Sequence, residues 1–309
     1  MKPLRIVFAG TPDFAVPALA ALIESAHRPV AVLTQPDRGV GRGRRIQFGP
    51  VKRLALEAGI DVLQPPSLRS EQAREPLAAL APELLITAAY GLLLPPAVLE
   101  LPRHGCWNLH ASLLPRWRGA SPINQAILAG DAETGISLMQ MDAGLDTGPV
   151  LLQAATEIGA DETAGELHDR LARMAAVLMR DGLDRLLSAS LPQAAPQNPA
   201  LATHAPLIDK QDARLDWSDD AGRLARQVRA YNPWPVAFGD IAGQSCRIFR
   251  AGARSDLAGA PGELLRGHGQ RDRIIVACGR GALEVFELQA PNRKRVSARD
   301  WLNAHPDWV

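Results

Sequence analysis

Asn108 and His110 stand two residues apart at the end of the apolar run "GCWNLH" (105–110). An amide and an imidazole placed together can both donate hydrogen bonds to a carbonyl oxygen, and such donors suit a developing oxyanion. A second run, "GISLMQMDAGLDTGPVL" (135–151), leads into a loop carrying Asp142, Gly144, Asp146 and Gly148. Its glycines allow tight backbone turns near a ligand. A carboxylate such as Asp146 beside His110 would orient the imidazole. Asn, His and Asp together make an acyl-transfer centre that needs no covalent nucleophile. The chain has no G-x-S-x-G, and no Cys stands beside a His as a candidate pair. Cys106 shares its strand face with Asn108 and reads as a buried structural thiol. Taken singly, Asn-x-His and D-A-G-L-D-T-G are more often a strand end and a turn; their joint placement carries the reading.

That placement depends on the elements around them. Ligands of open α/β sheets bind beyond the carboxyl ends of the strands. "LRIVFAG" (4–10), "PVAVLT" (29–34), "IDVLQP" (60–65), "ELLITAAYG" (83–91) and "GCWNLHA" (105–111) read as strands. Helical patterns separate several of them, at 12–25 and 51–59. Near-continuous apolar strands alternating with helices predict a mostly parallel sheet covered on both faces. "TGISLMQM" and "GPVLLQAATEI" read as further strands. Residues 161–187 form the strongest helical pattern, with Asp161 and Thr163 at its start. The proline-rich stretch that follows reads as an extended linker. Beyond it, short alternating runs between Gly turns predict a small β-barrel. The expected division is a catalytic domain over 1–189, a linker over 190–206 and a second domain over 207–309.

Composition excludes several classes. Of 309 residues, 47% are hydrophobic and 22% charged, with a net charge of +1. This is an ordinary globular balance with no global field to attract a polyanion. The charge is local instead: "QPDRGVGRGRRIQFGPVKR" (35–53) sets six Lys/Arg against one Asp. Arg38, Arg42, Arg44 and Arg45 lie there among glycines, where arginines can reach phosphates. The three cysteines are far apart, so neither a disulfide framework nor a metal site is expected, and a reducing cytoplasmic setting fits. The first apolar run is too short for a signal segment, and no run is long enough to span a membrane. The N-terminal stretch is not G-x-G-x-x-G, which disfavours a nicotinamide oxidoreductase.

"NLHASLLPRWRGASP" with "GISLMQMDAGLDTG" resembles the folate-dependent formyltransferases. The resemblance implies a Rossmann-like catalytic domain whose triad is Asn108, His110 and Asp146. It implies that Ser112, Leu113, Leu114 and Pro115 help to hold 10-formyltetrahydrofolate. Tyr90, Gly91 and Leu92 in "AYGLLLP", and the loop around Asp142, would hold the pterin, and no metal is required. "FAGTPDFAVPAL", "TQPDRGVGRGRR", "LDTG" and "YNPWP" narrow the resemblance to the members that act on methionine borne by the initiator tRNA. The expected reaction moves a formyl group from 10-formyltetrahydrofolate to the α-amine of initiator methionyl-tRNA. Asn108 and a protonated His110 would hold the oxyanion, with Arg38, Arg42, Arg44 and Arg45 contacting the tRNA. The second domain would be of the OB type, and "YNPWP", with two prolines and a buried Trp234, would pack the domain junction. The protein is expected to be a cytoplasmic monomer. The alternatives are an N-formyltransferase acting on nucleotide-sugar amines and a non-catalytic RNA-binding protein. The arginine-rich loop and "LDTG" argue against the first, and the intact triad argues against the second.

Overall fold

The computed structural model describes residues 3–40, 45–265 and 272–305. In chain order the N-terminal elements are β1 (Ile6–Gly10), α1 (Val16–Ile23), β2 (Ala31–Leu33), β3 (Arg38–Val40), β4 (Arg45–Gln47), α2 (Pro50–Glu57), β5 (Val62–Leu63) and α3 (Glu71–Ala79). There follow β6 (Leu84–Ala88), α4 (Pro96–Leu99), β7 (Cys106–His110), β8 (Arg118–Gly119), α5 (Pro122–Ala129), β9 (Glu133–Gln140), β10 (Val150–Glu157), α6 (Ala164–Leu187) and β11 (His204–Ala205). The last elements are α7 (Ala221–Ala230), β12 (Phe238–Ile241), β13 (Gln244–Arg254), β14 (Ile274–Ala277), β15 (Ala282–Gln289), β16 (Val296–Ser297) and α8 (Ala298–Ala304).

The chain divides into two compact units. The first comprises residues 1–122, 133–156 and 168–205, and the second residues 123–132, 157–167 and 206–309. The first unit is built on a sheet of order β10-β9-β7-β6-β1-β2-β5. From β7 to β5 the neighbours run parallel, and β9 joins antiparallel. The apolar strands dictate this arrangement. β1 and β6 are buried at every residue, which requires cover on both faces. Between β2 and α2 the basic stretch contributes two short strands: β3 and β4 pair antiparallel, with Arg38 opposite Gln47 and Val40 opposite Arg45.

Residues 190–206, expected to be an extended linker, are fastened to the first unit at several points. Ala195 bridges Val150, and β11 pairs parallel with β8. Gly119, in β8, has φ +120, and a Cβ there would stand 2.5 Å from the Ala205 carbonyl oxygen. Only glycine lets β8 and β11 approach so closely.

The second unit carries an antiparallel sheet of order β12-β13-β15-β14, with β16 beside β15. β13 pairs with β12 through its first residues and with β15 along the rest, with register shifts around Arg250. Such irregularity bends a strand, and the sheet curls into a half-barrel. α7 and α8 seal its apolar side through Leu224, Val228, Trp301 and Leu302. The expectation for "YNPWP" is corrected in one respect: Tyr231 is buried, but Trp234 is 54% exposed. Residues 231–235 form a tight turn after α7, with Asn232–Pro233 and Trp234–Pro235 both cis, and the Trp234 side chain stands on its outer side.

Candidate active site

β7 delivers Asn108 and His110 to the carboxyl-terminal edge of the sheet, in register with β6 and β9. Asn108 lies opposite Thr87 of β6, the one hydroxyl in an otherwise apolar strand. Thr87 Oγ1 donates to Asn108 Oδ1 at 2.8 Å, so the amide nitrogen must face the other way. That nitrogen, Nδ2, donates to Asp146 Oδ1 at 3.2 Å. The second Asp146 oxygen, Oδ2, accepts the backbone N–H of Gly119 at 2.9 Å and lies 3.6 Å from His110 Nδ1. Asn108, His110 and Asp146, chosen on residue type and strand position, therefore meet in space. The carboxylate is the hub.

Asp146 occupies the left-handed region, with φ +52. Asp tolerates that region better than most residues, because its short polar side chain can bond locally. Here it bonds to β7 and β8 instead, and the loop is held from outside. Gln197 Nε2 donates to the carbonyl oxygens of Asp146 at 2.8 Å and Gly148 at 2.7 Å. A Cβ on Gly148 would collide with the Gln140 carbonyl, so the loop closes only with glycine there.

His110 is 5% exposed, and its Nε2 lies 2.9 Å from the carbonyl oxygen of Trp117. A carbonyl can only accept, so Nε2 carries a proton. That proton points at protein, whereas the sequence reading aimed it at a substrate oxygen. Trp117 is itself held at φ +61, with its N–H donating to Thr203 Oγ1 at 2.8 Å. Asn108 Nδ2 uses one N–H on Asp146 and has a second to offer.

The residues expected to hold folate fall into three groups. Ser112, Leu113, Leu114 and Pro115 follow β7 directly, and the Leu114–Pro115 bond is cis. Ser112 Oγ donates to Arg116 O, Leu114 N–H donates to Ser137 Oγ, and Leu114 O accepts from Gln153. Tyr90, Gly91 and Leu92 follow β6. The Tyr90 carbonyl accepts from Thr11 Oγ1 and Gln35 Nε2, and Gly91 has φ +77. The Tyr90 ring enters the core beside Leu85 and Cys106, where burial pushes its phenol up to about 12. Asp142 is exposed and accepts from Gly144 N–H and Thr147 Oγ1, which shapes the loop ahead of Asp146. All three groups belong to the same unit as the triad.

Arg42 and Arg44 lie outside the described residues, and Arg38 and Arg45 begin the two paired strands β3 and β4. The stem below them is anchored: Lys52 pairs with Asp37, and Gln64 Nε2 donates to Asp37 Oδ1 and to Gln35 O. These bonds hold the Asp37 carboxyl below its ordinary value, chiefly through the Lys52 hydrogen bond.

Cys106 is buried, with its thiol pushed up to about 12 by desolvation. Among the described residues no cluster of His, Cys, Asp and Glu could hold a metal ion. No described helix is long and apolar enough to cross a membrane.

Sequence reasoning missed Thr87, Gly119, the Trp117 carbonyl and Gln197. A lone threonine in "LLITA" was a usable signal for the first. The other three act through backbone groups or come from the proline-rich stretch, and they leave no motif.

The first unit, a mostly parallel α/β sheet, brings an amide and an imidazole from β7 together with a carboxylate from the loop after β9, a set of groups suited to acyl-type transfer. The formyl transferase family matches over residues 4–182, and its formyl transferase C-terminal domain over residues 207–306. The chain belongs to the formyl transferase family. It is 55% identical over 306 residues to the methionyl-tRNA formyltransferase of Xanthomonas campestris pv. campestris, covering 98% of each chain. It is 51% identical to that of Pseudomonas paraeruginosa, covering 97% of this chain and 96% of the relative. Among solved structures, the N-formyltransferase of Helicobacter canadensis, in complex with folinic acid and dTDP-3-aminofucose, shares the fold. Its TM-score is 0.67 at 16% identity, over 93% of this chain and all of that one. HypX of Aquifex aeolicus, in complex with tetrahydrofolic acid, matches with a TM-score of 0.61 at 17% identity. That match covers 97% of this chain and 47% of HypX.

Proposed function

We propose that this protein transfers the formyl group of 10-formyltetrahydrofolate to the α-amine of methionine on initiator methionyl-tRNA. The relatives of more than 50% identity, matched over almost their whole length, are methionyl-tRNA formyltransferases, which supports this reading. The observation that carries the chemistry is the Asp146 carboxylate, joined to Asn108 and Gly119 and facing His110.

The neutral amine of methionine attacks the formyl carbon. A C–N bond forms, and the carbonyl becomes a tetrahedral oxyanion. The second N–H of Asn108 serves as its donor. One such donor is typically worth about 2.7–4 kcal/mol, or roughly 10²–10³ in rate. Asp146 fixes the Asn108 amide in place and accepts the amine proton, directly or through water. The bond from the formyl carbon to folate N10 then breaks, and the proton passes to N10. His110 joins as a second donor when its Nε2–H turns from the Trp117 carbonyl to the oxyanion. This exchanges one carbonyl-type acceptor for a charged one, which makes a stronger hydrogen bond.

Ser112, Leu113, Leu114, Pro115, Tyr90, Gly91, Leu92 and Asp142 hold the folate. Arg38, Arg42, Arg44 and Arg45 contact the tRNA backbone. No metal takes part, and the protein works as a cytoplasmic monomer. The test is incubation with 10-formyltetrahydrofolate and charged initiator tRNA, followed by release of the amino acid. Formylmethionine is the expected product, and unmodified methionine overturns the proposal.

A further inference from the structure

We infer that Gln197 is a positioning residue for the reaction: its amide clamps the loop that carries Asp146, and formyl transfer depends on that clamp. Gln197 lies outside every element that forms the sheet, within the stretch 190–206. Its side chain nevertheless reaches the catalytic loop with every hydrogen-bonding position used. Nε2 donates to the carbonyls of Asp146 and Gly148. Oε1 accepts from Arg118 Nε at 3.0 Å and from Nη2 at 2.8 Å.

The chemistry of the partners settles the orientation of this amide. Carbonyl oxygens only accept and a guanidinium only donates, so oxygen must face Arg118 and nitrogen must face the loop. Arg118 is 8% exposed, and its fork grips Oε1 with two donors. The flanking chain adds rigidity, with Arg118 N–H donating to Thr203 O and Ala120 N–H to Ala205 O.

The clamp acts where the loop is least able to hold itself. Asp146 has φ +52, a sparsely populated conformation that Asp tolerates and that contacts from outside the loop help to hold. Tying its carbonyl to that of Gly148 through one nitrogen fixes the Asp146–Thr147 and Gly148–Pro149 peptides, which bracket Thr147 and Gly148. The direction of the Asp146 side chain follows, and with it the 3.2 Å contact to Asn108. The carboxylate must stay placed to within about 0.5 Å to orient a donor productively. Gln197 touches no reacting atom and works only through this backbone.

The inference rests on formyl transfer as the reaction, so wild-type protein is assayed beside each variant. Gln197→Glu keeps the shape and the bond to Arg118 but cannot donate to the two carbonyls. Gln197→Ala removes both sides of the clamp. For each, kcat, both KM values and Tm are measured with 10-formyltetrahydrofolate and initiator methionyl-tRNA. The expected result is a fall in kcat on the order of 10- to 100-fold for both variants. Both KM values stay within about threefold, and Gln197→Glu melts close to wild type. Retained kcat in Gln197→Glu overturns the inference, because the amide would then serve only to pair Arg118. An effect confined to KM overturns it too, as does a fall in kcat that tracks Tm alone. If wild-type protein itself forms no formylmethionine, the functional proposal falls, and not merely the role of Gln197.

Discussion

The amide of Asn108 donates to the carboxylate of Asp146 at 3.2 Å, across 38 residues of chain. One residue is fixed by a buried strand and the other by a left-handed loop. Asp146→Asn is the sharpest probe of the pair, because Asn accepts the same φ. The fold should survive, with Tm close to wild type. The new amide keeps one acceptor oxygen and turns its NH2 toward the other donor, however, so Asn108 and the Gly119 N–H can no longer both be held. The single-turnover rate should fall by more than about tenfold. An unchanged rate would remove Asp146 from the mechanism.

Asn108→Ala deletes the proposed oxyanion donor. Single-turnover formylation should slow roughly 10²–10³-fold. Affinity for tRNA, measured by filter binding, should change little. A variant that binds tRNA poorly but reacts at the normal rate when saturated would assign Asn108 to binding instead.

Thr87→Val removes a hydroxyl without changing shape. Asn108 Oδ1, half-buried, is then without its donor, and the cost is at most the roughly 1–3 kcal/mol of a fully buried unsatisfied acceptor. Tm should fall accordingly. The amide also becomes free to rotate, so kcat should fall with it. A stable variant of full activity would show that Thr87 does not set the amide's direction.

Much of this site was legible in the residues themselves, and the reason is physical. β1, β6 and β7 are buried on both faces, so their sequences read as apolar runs, and polar residues at their ends stand out. Asn108 and His110 were found that way, and Asp146 by the glycines around it. Gln197 could not be found. It sits among prolines with no periodicity, and its role exists only because β11 pairs with β8 some 86 residues away. The Trp117 carbonyl is likewise invisible, because any residue supplies a carbonyl and only φ +61 aims this one at His110. The antiparallel stem β3–β4 was hidden by its arginines and glycines, which read as an open loop.

The stem below the basic hairpin carries a pH signature. Asp37 is held below its ordinary value of 3.8 by the hydrogen bonds from Lys52 and Gln64. A carboxyl lowered in the folded state contributes stability above its unfolded pKa and loses it as pH falls through the folded one. Lys52→Met should therefore lower Tm at neutral pH. The difference from wild type should shrink below about pH 3.8. A difference independent of pH would assign Lys52 a packing role over Phe48, whose ring lies 4.0 Å from its ammonium.

Arginines that neutralise phosphates release counterions, so tRNA affinity should fall steeply with salt. Replacing Arg42 and Arg44 by Ser should lower the slope of log affinity against log salt by roughly 0.7–0.9 for each phosphate that is no longer neutralised. An unchanged slope would leave the basic stretch as a solvated surface.

The most direct measurement is formyl transfer itself. Wild-type and Asp146→Asn proteins are mixed in excess with labelled 10-formyltetrahydrofolate and charged initiator tRNA, and the aminoacyl ester is then hydrolysed. Label on the methionine α-amine in a single fast turnover with wild type, and slow or absent transfer with the variant, is the predicted result. Equal transfer by both proteins, or label found on a nucleotide-sugar amine and not on methionine, would contradict the account.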